Sequence, residues 1–323
     1  MASAVRWGGT AAKANLEKPL LFPMSGFLRY VTLLYEVFNS ASKMEPYQAL
    51  AHVTAMVRES GTSFYWAMRM LPAQKRNAIY AVYAFCREVD DIADDPGRDS
   101  DKLRRLADWR VEIERLFSGQ PQLPISFALI NPVKQFGLYK ESFLAVIEGM
   151  EIDSSASVRM PTCRALENYC DHVACAVGRL SNQIFGVDKK LGEPVAVALG
   201  QALQLTNILR DLYEDADIDR LYVPKEMLSV HNISSADAKL AISHPKFPEV
   251  CEELANIARR RYQDAERALG QCDRKTMLPA IMMMQNYCRI LDKLVKRGWS
   301  NLNKPVSLNK AQKLWLLIRY ARI

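Results

Sequence analysis

This chain of 323 residues predicts an all-α fold in a single domain. Three observations carry that expectation. Nearly every segment after Met44 repeats apolar residues at three- and four-residue spacing, the period of a helix that buries one face. Runs of alternating β-branched residues stop after a few positions, so strands have little to build on. Neither an internal repeat nor a Gly/Ser linker divides the chain, and a hydrophobic content of 49% is enough for a sizeable core.

The elements follow in order from period and punctuation. Helical spacing runs through Ala49–Met70, Arg76–Asp95, Asp101–Phe117, Tyr139–Met150 and Thr162–Phe185. It continues through Pro194–Leu212, Pro248–Leu269, Pro279–Trp299 and Asn309–Tyr320. Breaks are expected at Leu71-Pro72, Asp95-Pro96-Gly97, Gly119-Gln-Pro121, Met160-Pro161, Gly192-Glu-Pro194 and His244-Pro245. Proline has no N–H to give and pushes its predecessor out of the helical region. Residues 1–43 are set apart from the domain at 44–323. They read as an N-terminal extension, flexible or amphipathic, or as translation from upstream of a start at Met44. Their most apolar stretch, Leu20–Phe38, is interrupted by Pro23, Gly26, Arg29 and Glu36, so neither a spanning helix nor a signal peptide is expected.

The net charge of +7 is uneven. Arg289–Ile323 holds nine Lys/Arg against one Asp, which leaves the remainder close to neutral. Such a tail, with "AQKLWLLIRY" inside it, suits either peripheral contact with an anionic membrane or a solvated helical face. No nucleic-acid-binding motif accompanies the charge, so nucleic acid is not expected as a partner. Seven cysteines without a C-x-x-C pair read as reduced thiols of a cytoplasmic protein, and four scattered histidines offer no zinc spacing.

Chemistry enters with "CREVDDIADDP" (Cys86–Pro96), which puts five carboxylates into eight positions directly after an apolar helical run. Like charges at this spacing repel, so a positive partner is expected. Asp90 and Asp94 are four apart, as are Asp91 and Asp95, which sets each pair on one helical face with Cβ atoms about 5–6 Å apart. Hard oxygen ligands of this kind suit Mg²⁺, which shares its coordination with water and substrate phosphates. The arrangement recurs 121 residues later, where "QLTNILRDLYEDADIDRLY" places Asp211 and Asp215 four apart, with Asn207 and Glu214 one turn from Asp211. Two such faces can confront each other across a bundle and share Mg²⁺ and a diphosphate. The plain alternative is two solvated acidic helix ends.

"YAVYAFCREVDDIADD" and "ALQLTNILRDLYEDADIDRLYVP" resemble the two aspartate-rich signatures of the squalene/phytoene synthase family of head-to-head prenyl transferases. The resemblance extends from about Ser60 to Leu302. The order of "SGTSFYWAMRMLP" then "YAVYAFCREVDD", followed by "RLSNQIFG", is most similar to the bacterial hopanoid-pathway subgroup that makes presqualene diphosphate. It implies an isoprenoid-synthase helical bundle around a central apolar cavity that binds two molecules of farnesyl diphosphate. It further implies a Mg²⁺-dependent head-to-head condensation with about three ions per site, and no NADPH. NADPH-dependent squalene synthesis and phytoene synthesis are the enzymatic alternatives; a non-catalytic assembly protein is the other. The reduced thiols and the basic tail together suggest a cytoplasmic protein, peripheral at the inner membrane surface, with a downstream squalene-forming enzyme as a partner.

Carried over position by position, the resemblance implies Asp90, Asp94, Asn207, Asp211 and Asp215 as Mg²⁺ ligands. It implies substrate contacts from Tyr83, Arg87, Gln204, Arg210 and Tyr287, and from the turn Ser60, Gly61, Thr62 and Ser63. Arg87 is either a guanidinium fork for phosphate or an intrahelical partner of Asp90 or Asp91. Tyr83, Arg87 and His172 are the catalytic candidates. In "YCDHVACAVGRLS", His172 stands where squalene and phytoene synthases usually carry a tyrosine, which fits an enzyme that stops at the cyclopropyl product. It reads as a base or diphosphate partner, or as a half-buried polar residue. Ala174, Gly178 and Ser181 fall on one side of the same helix, as room for an isoprenoid chain or for close packing.

Overall fold

The computed structural model describes residues 44–62 and 64–308. The extension at 1–43, Ser63 and the expected helix Asn309–Tyr320 lie outside the described residues. The chain order begins α1 (Pro46–Glu59), α2 (Tyr65–Arg69), α3 (Ala73–Asp94), α4 (Asp99–Ser118), α5 (Pro124–Phe136) and α6 (Lys140–Asp153). There follow α7 (Cys163–Cys170), a π-helical turn (Asp171–Cys175), α8 (Ala176–Phe185) and α9 (Lys189–Asp217). The last elements are α10 (Lys225–Val230), α11 (Ala238–Ile242), α12 (Phe247–Leu269) and α13 (Leu278–Arg297). Two short strands, β1 (Val158–Arg159) and β2 (Arg220–Leu221), pair in parallel, Val158 opposite Arg220 and Arg159 opposite Leu221. The all-α expectation holds.

Helix α9 is the axis of the bundle. Every residue from Ala198 to Leu209 is buried, the mark of an interior helix, and α8, the π turn, α12 and α13 pack around it. Helices α1, α3 and α5 form a second group, joined to the rest through α6 and α8. There Phe85 meets Trp109 and Phe143 edge to face at ring distances of 5.4 and 5.1 Å. Thr206 returns its hydroxyl to the Ala202 carbonyl and meets the Tyr262 phenol at 2.8 Å, so a polar group at the axis keeps its hydrogen bonds.

Three expected boundaries are corrected. The periodic stretch Ala49–Met70 is two helices, because Gly61 takes φ +61° after Ser60 closes α1 on the Met56 carbonyl. Gly192-Glu-Pro194 is no break. Asp188 accepts from Lys190 N at 2.8 Å and starts α9 at Lys189, so Pro194 sits in the second turn and forgoes one backbone bond. Helix α5, unread because Pro124 and Pro132 punctuate it, buries Ile125, Leu129 and Pro132 itself.

Close approach at the axis depends on one glycine. A Cβ at Gly200 would lie 2.8 Å from both N and Cα of Cys175 in the π turn, and backbone cannot move aside as a side chain can. Gly200→Ala should therefore destabilise the fold by about 1–3 kcal/mol, read as a lower midpoint in urea with an unchanged slope.

Candidate active site

An apolar cavity lies between α2, α3, α8, α9 and α13. Its walls include Phe64 and Met68 from α2 and its approach, Val82 from α3, Leu199 from α9, and Met283 from α13. Ala174, Gly178 and Ser181 all line it, so the small side chains of that stretch do open space. Gly178 also packs closely: a Cβ there would stand 3.2 Å from Ala196.

Helices α3 and α9 both line this cavity but hardly touch each other. Each carries its cavity residues first and its acids later: Ile79, Val82 and Tyr83 before Asp90 and Asp94, and Val195, Leu199 and Leu203 before Asp211 and Asp215. At 1.5 Å per residue, Asp90 stands roughly 10 Å beyond Tyr83 and Asp211 roughly 12 Å beyond Leu203 along their axes. Both acidic faces therefore lie toward the carboxyl ends of cavity-lining helices, where the helix dipoles add negative potential.

The first face divides into inner and outer carboxylates. Asp90 is 1% exposed, whereas Asp91 pairs with Arg87 at 2.7 Å and Asp95 with Arg105 at 2.7 Å nearer the surface. Arg87 also stands 3.8 Å from Asp90, so its guanidinium serves as an intrahelical partner here. One turn back, the buried Tyr83 phenol lies beside Ser60 and Thr62, and burial holds its pKa well above the usual range. The Ser60–Thr62 turn is itself tied, Ser60 donating to the Val57 carbonyl and Thr62 Oγ1 accepting from Phe64 N.

On the second face Gln204, Asn207, Asp211 and Asp215 are buried in succession along α9. Arg210 forks onto Asp211 at 2.8 and 2.7 Å and reaches the buried Tyr287 phenol, which also contacts Asn207. The Asn207 amide donates to Gln204 Oε1, and its own Oδ1 is a buried acceptor without a hydrogen bond.

The two faces are joined by a residue that sequence reasoning did not single out. Arg220, 4% exposed in β2, donates to Asp94 Oδ1 at 3.0 Å and to the carbonyls of Ala93 and Asp153. Behind it the Asp153 carboxylate accepts from Tyr169 and Tyr222 at 2.9 and 2.7 Å, and those two rings stack at 4.9 Å. Arg159 braces this corner, bonding the Asp219 carbonyl and carboxylate together with Ser235 O. The available signal was "DIDRLYVP", which continues the second acidic run into an arginine and a tyrosine two apart.

His172 is placed elsewhere. The π turn carries it away from the cavity face used by Ala174, and its Nε2 faces Glu148 of α6 at 3.6 Å. Ser63 lies outside the described residues.

Among the described residues, no three His, Cys, Asp or Glu side chains are gathered closely enough to hold an ion alone. The donor chemistry nonetheless suits Mg²⁺. Asp90, Asp211 and Asp215 are 1%, 5% and 2% exposed, and Asn207, whose Oδ1 is a buried acceptor without a hydrogen bond, lies one helical turn before Asp211. Buried carboxylates are costly until a cation and its waters satisfy them, and Mg²⁺ completes such sites with phosphate oxygens.

Residues 57–312 match the squalene/phytoene synthase family. The chain is 42% identical over 259 residues to presqualene diphosphate synthase of Zymomonas mobilis, covering 80% of this chain and 88% of that protein. It is 41% identical to the enzyme of the same name from Rhodopseudomonas palustris, covering 81% and 93%. Identity to 15-cis-phytoene synthase of Synechocystis is 32%, over 86% of this chain and 85% of that protein. A solved dehydrosqualene synthase shares the fold with a TM-score of 0.73 at 26% identity, covering 86% of this chain and 98% of its own.

Burial pushes the Asp153 carboxyl up to about 7, against the pull of Arg220 and the two phenols. The folded chain therefore holds that proton to higher pH than the unfolded chain, where Asp titrates near 4. This stabilisation is complete below about pH 4 and is lost as pH rises through 7. Asp153→Asn, permanently neutral, should gain in melting temperature relative to the unsubstituted protein between pH 5 and pH 8; a difference that does not vary with pH would contradict the assignment.

Proposed function

The chain belongs to the squalene/phytoene synthase family, and on that premise we propose its reaction in full. It is a prenyltransferase that condenses two molecules of farnesyl diphosphate head to head into presqualene diphosphate. Phytoene synthases are more distant relatives, so the C20 alternative is not favoured. The observation that supports the mechanism is the pair of helices, α3 and α9, lining one apolar cavity and each bearing buried carboxylates in its later turns, with Arg220 just beyond α9 bonded to Asp94 at the end of α3.

Asp90 and Asp94 on one face, and Asn207, Asp211 and Asp215 on the other, would hold Mg²⁺, three ions in the full reading. When bound, Mg²⁺ supplies charge neutralisation of the leaving diphosphate. Arg87 and Arg210 would turn from their aspartates to fork onto phosphate oxygens. Gln204, Tyr287 and the Ser60–Ser63 turn would orient the second diphosphate, which stays intact. C–O cleavage in one farnesyl diphosphate leaves an allylic cation, and the apolar walls keep water from quenching it. The C2=C3 bond of the other substrate attacks C1 of that cation. Loss of a proton from C1 then closes the cyclopropane. Tyr83, with its phenol held protonated by burial, acts as a hydrogen-bond donor, and the proton passes to the departing diphosphate. The outward position of His172 beside Glu148 supports leaving it out of that transfer.

The basic C-terminal tail is proposed to hold the protein against an anionic membrane, where the apolar product can pass to a squalene-forming enzyme. None of the described helices is long and apolar enough to cross a bilayer, so the contact would be peripheral.

Incubation with farnesyl diphosphate and Mg²⁺ should yield presqualene diphosphate by mass spectrometry, with or without NADPH. Recovery of squalene with NADPH, or of phytoene from geranylgeranyl diphosphate, would overturn the product assignment. Asp90→Ala and Asp211→Ala should each lower diphosphate release by at least about 100-fold while far-UV circular dichroism is retained. Deleting residues 306–323 should weaken co-sedimentation with vesicles rich in anionic lipid, an effect that disappears at high salt.

A further inference from the structure

We propose that Asp153, clasped by Tyr169 and Tyr222, is a positioning residue that acts through Arg220 to fix Asp94 of the first acidic face. The proposal rests on the metal-site reading above, and it concerns residues that reading does not use.

The geometry is a buried chain of contacts. Asp153 and Tyr169 and Tyr222 are each no more than 1% exposed, so the two phenol donors to Asp153 have no water to exchange with. Arg220 lies nine residues after Asp211 on the same segment, yet its guanidinium closes on α3, at Asp94 Oδ1 and Ala93 O, and on the last residue of α6, at Asp153 O. The segment that follows the second acidic face is thereby anchored to the end of the first. The β1–β2 pairing sets the backbone of Arg220 and Leu221, and Arg159 secures the preceding Asp219, a non-glycine residue at φ +57°. Nη2 of Arg220 is held by the two carbonyls and Nη1 by Asp94, while the buried Asp153 carboxylate acts on the guanidinium electrostatically. Groups that orient a ligand from behind commonly set metal affinity without touching the metal.

The test uses the full-length protein with Mn²⁺ as probe, its binding followed by EPR at a fixed concentration of inorganic diphosphate. Arg220→Lys keeps the charge and loses the fork; Tyr222→Phe and Tyr169→Phe each remove one hydroxyl from Asp153. Expected is a weakening of Mn²⁺ binding by about 10–100-fold in Arg220→Lys and less in the two Phe variants. KM for farnesyl diphosphate at saturating Mg²⁺ should stay unchanged, and so should far-UV circular dichroism. Mn²⁺ affinity equal to that of the unsubstituted protein in folded Arg220→Lys and Tyr222→Phe overturns the proposal. A raised KM with Mn²⁺ binding unchanged also overturns it, since Arg220 would then contact substrate directly. Should Arg220→Lys fail to fold, the two Phe variants decide the matter by the same readout. If the unsubstituted protein binds Mn²⁺ but makes no presqualene diphosphate, the reaction assignment falls while the positioning proposal is still judged by the EPR titration.

Discussion

Mutual repulsion among buried carboxylates is the constraint around which this molecule is arranged. Asp90, Asp211 and Asp215 are all but excluded from water, and each sits toward the carboxyl end of a helix whose dipole adds to the negative potential. Such groups are tolerated in a fold only when cations answer them. Arg87, Arg210 and Arg220 provide part of the answer, and each does so close to an aspartate of one of the two faces. On the proposed function, the remainder of the negative charge would receive a divalent ion carrying a diphosphate.

The cavity and the acids belong to one design because they share helices. Along both α3 and α9 the earlier turns are apolar and line the hollow, and the later turns are acidic. A substrate with a greasy chain and a charged head matches that polarity from end to end. Packing keeps the hollow open: the bulk of α9 is pressed against α12 and the π turn, with Gly200 allowing the close approach, while α3 leans on α5, α6 and α1.

Two acidic faces distant in sequence are tied together at one corner. The corner at Arg220 ties the end of α3 to the segment after α9, and Asp153, Tyr169 and Tyr222 stiffen it from behind. Its central residue, Arg220, lies outside the helices, in a two-residue parallel bridge, while Asp94, Asp153 and Tyr169 sit at or near helix ends. Loops and short bridges are where functional groups are commonly aimed, provided that rigid elements hold their ends.

What the residues determined by themselves was whatever depends on local spacing. Helical period located the long helices, and a four-residue interval put Asp90 with Asp94 and Asp211 with Asp215, since both follow from the pitch of one helix. The same local reasoning overread Pro194 as a stop and missed α5, because proline near a helix start is tolerated and Pro132 can be carried by burial. Only the tertiary structure decided which carboxylates turn inward, that His172 faces Glu148 rather than the cavity, and that Arg220 closes on Asp94 from 126 residues away. Those outcomes depend on how helices stack and where the π turn shifts the helical face, and a long-range contact leaves no periodic trace in the chain that makes it.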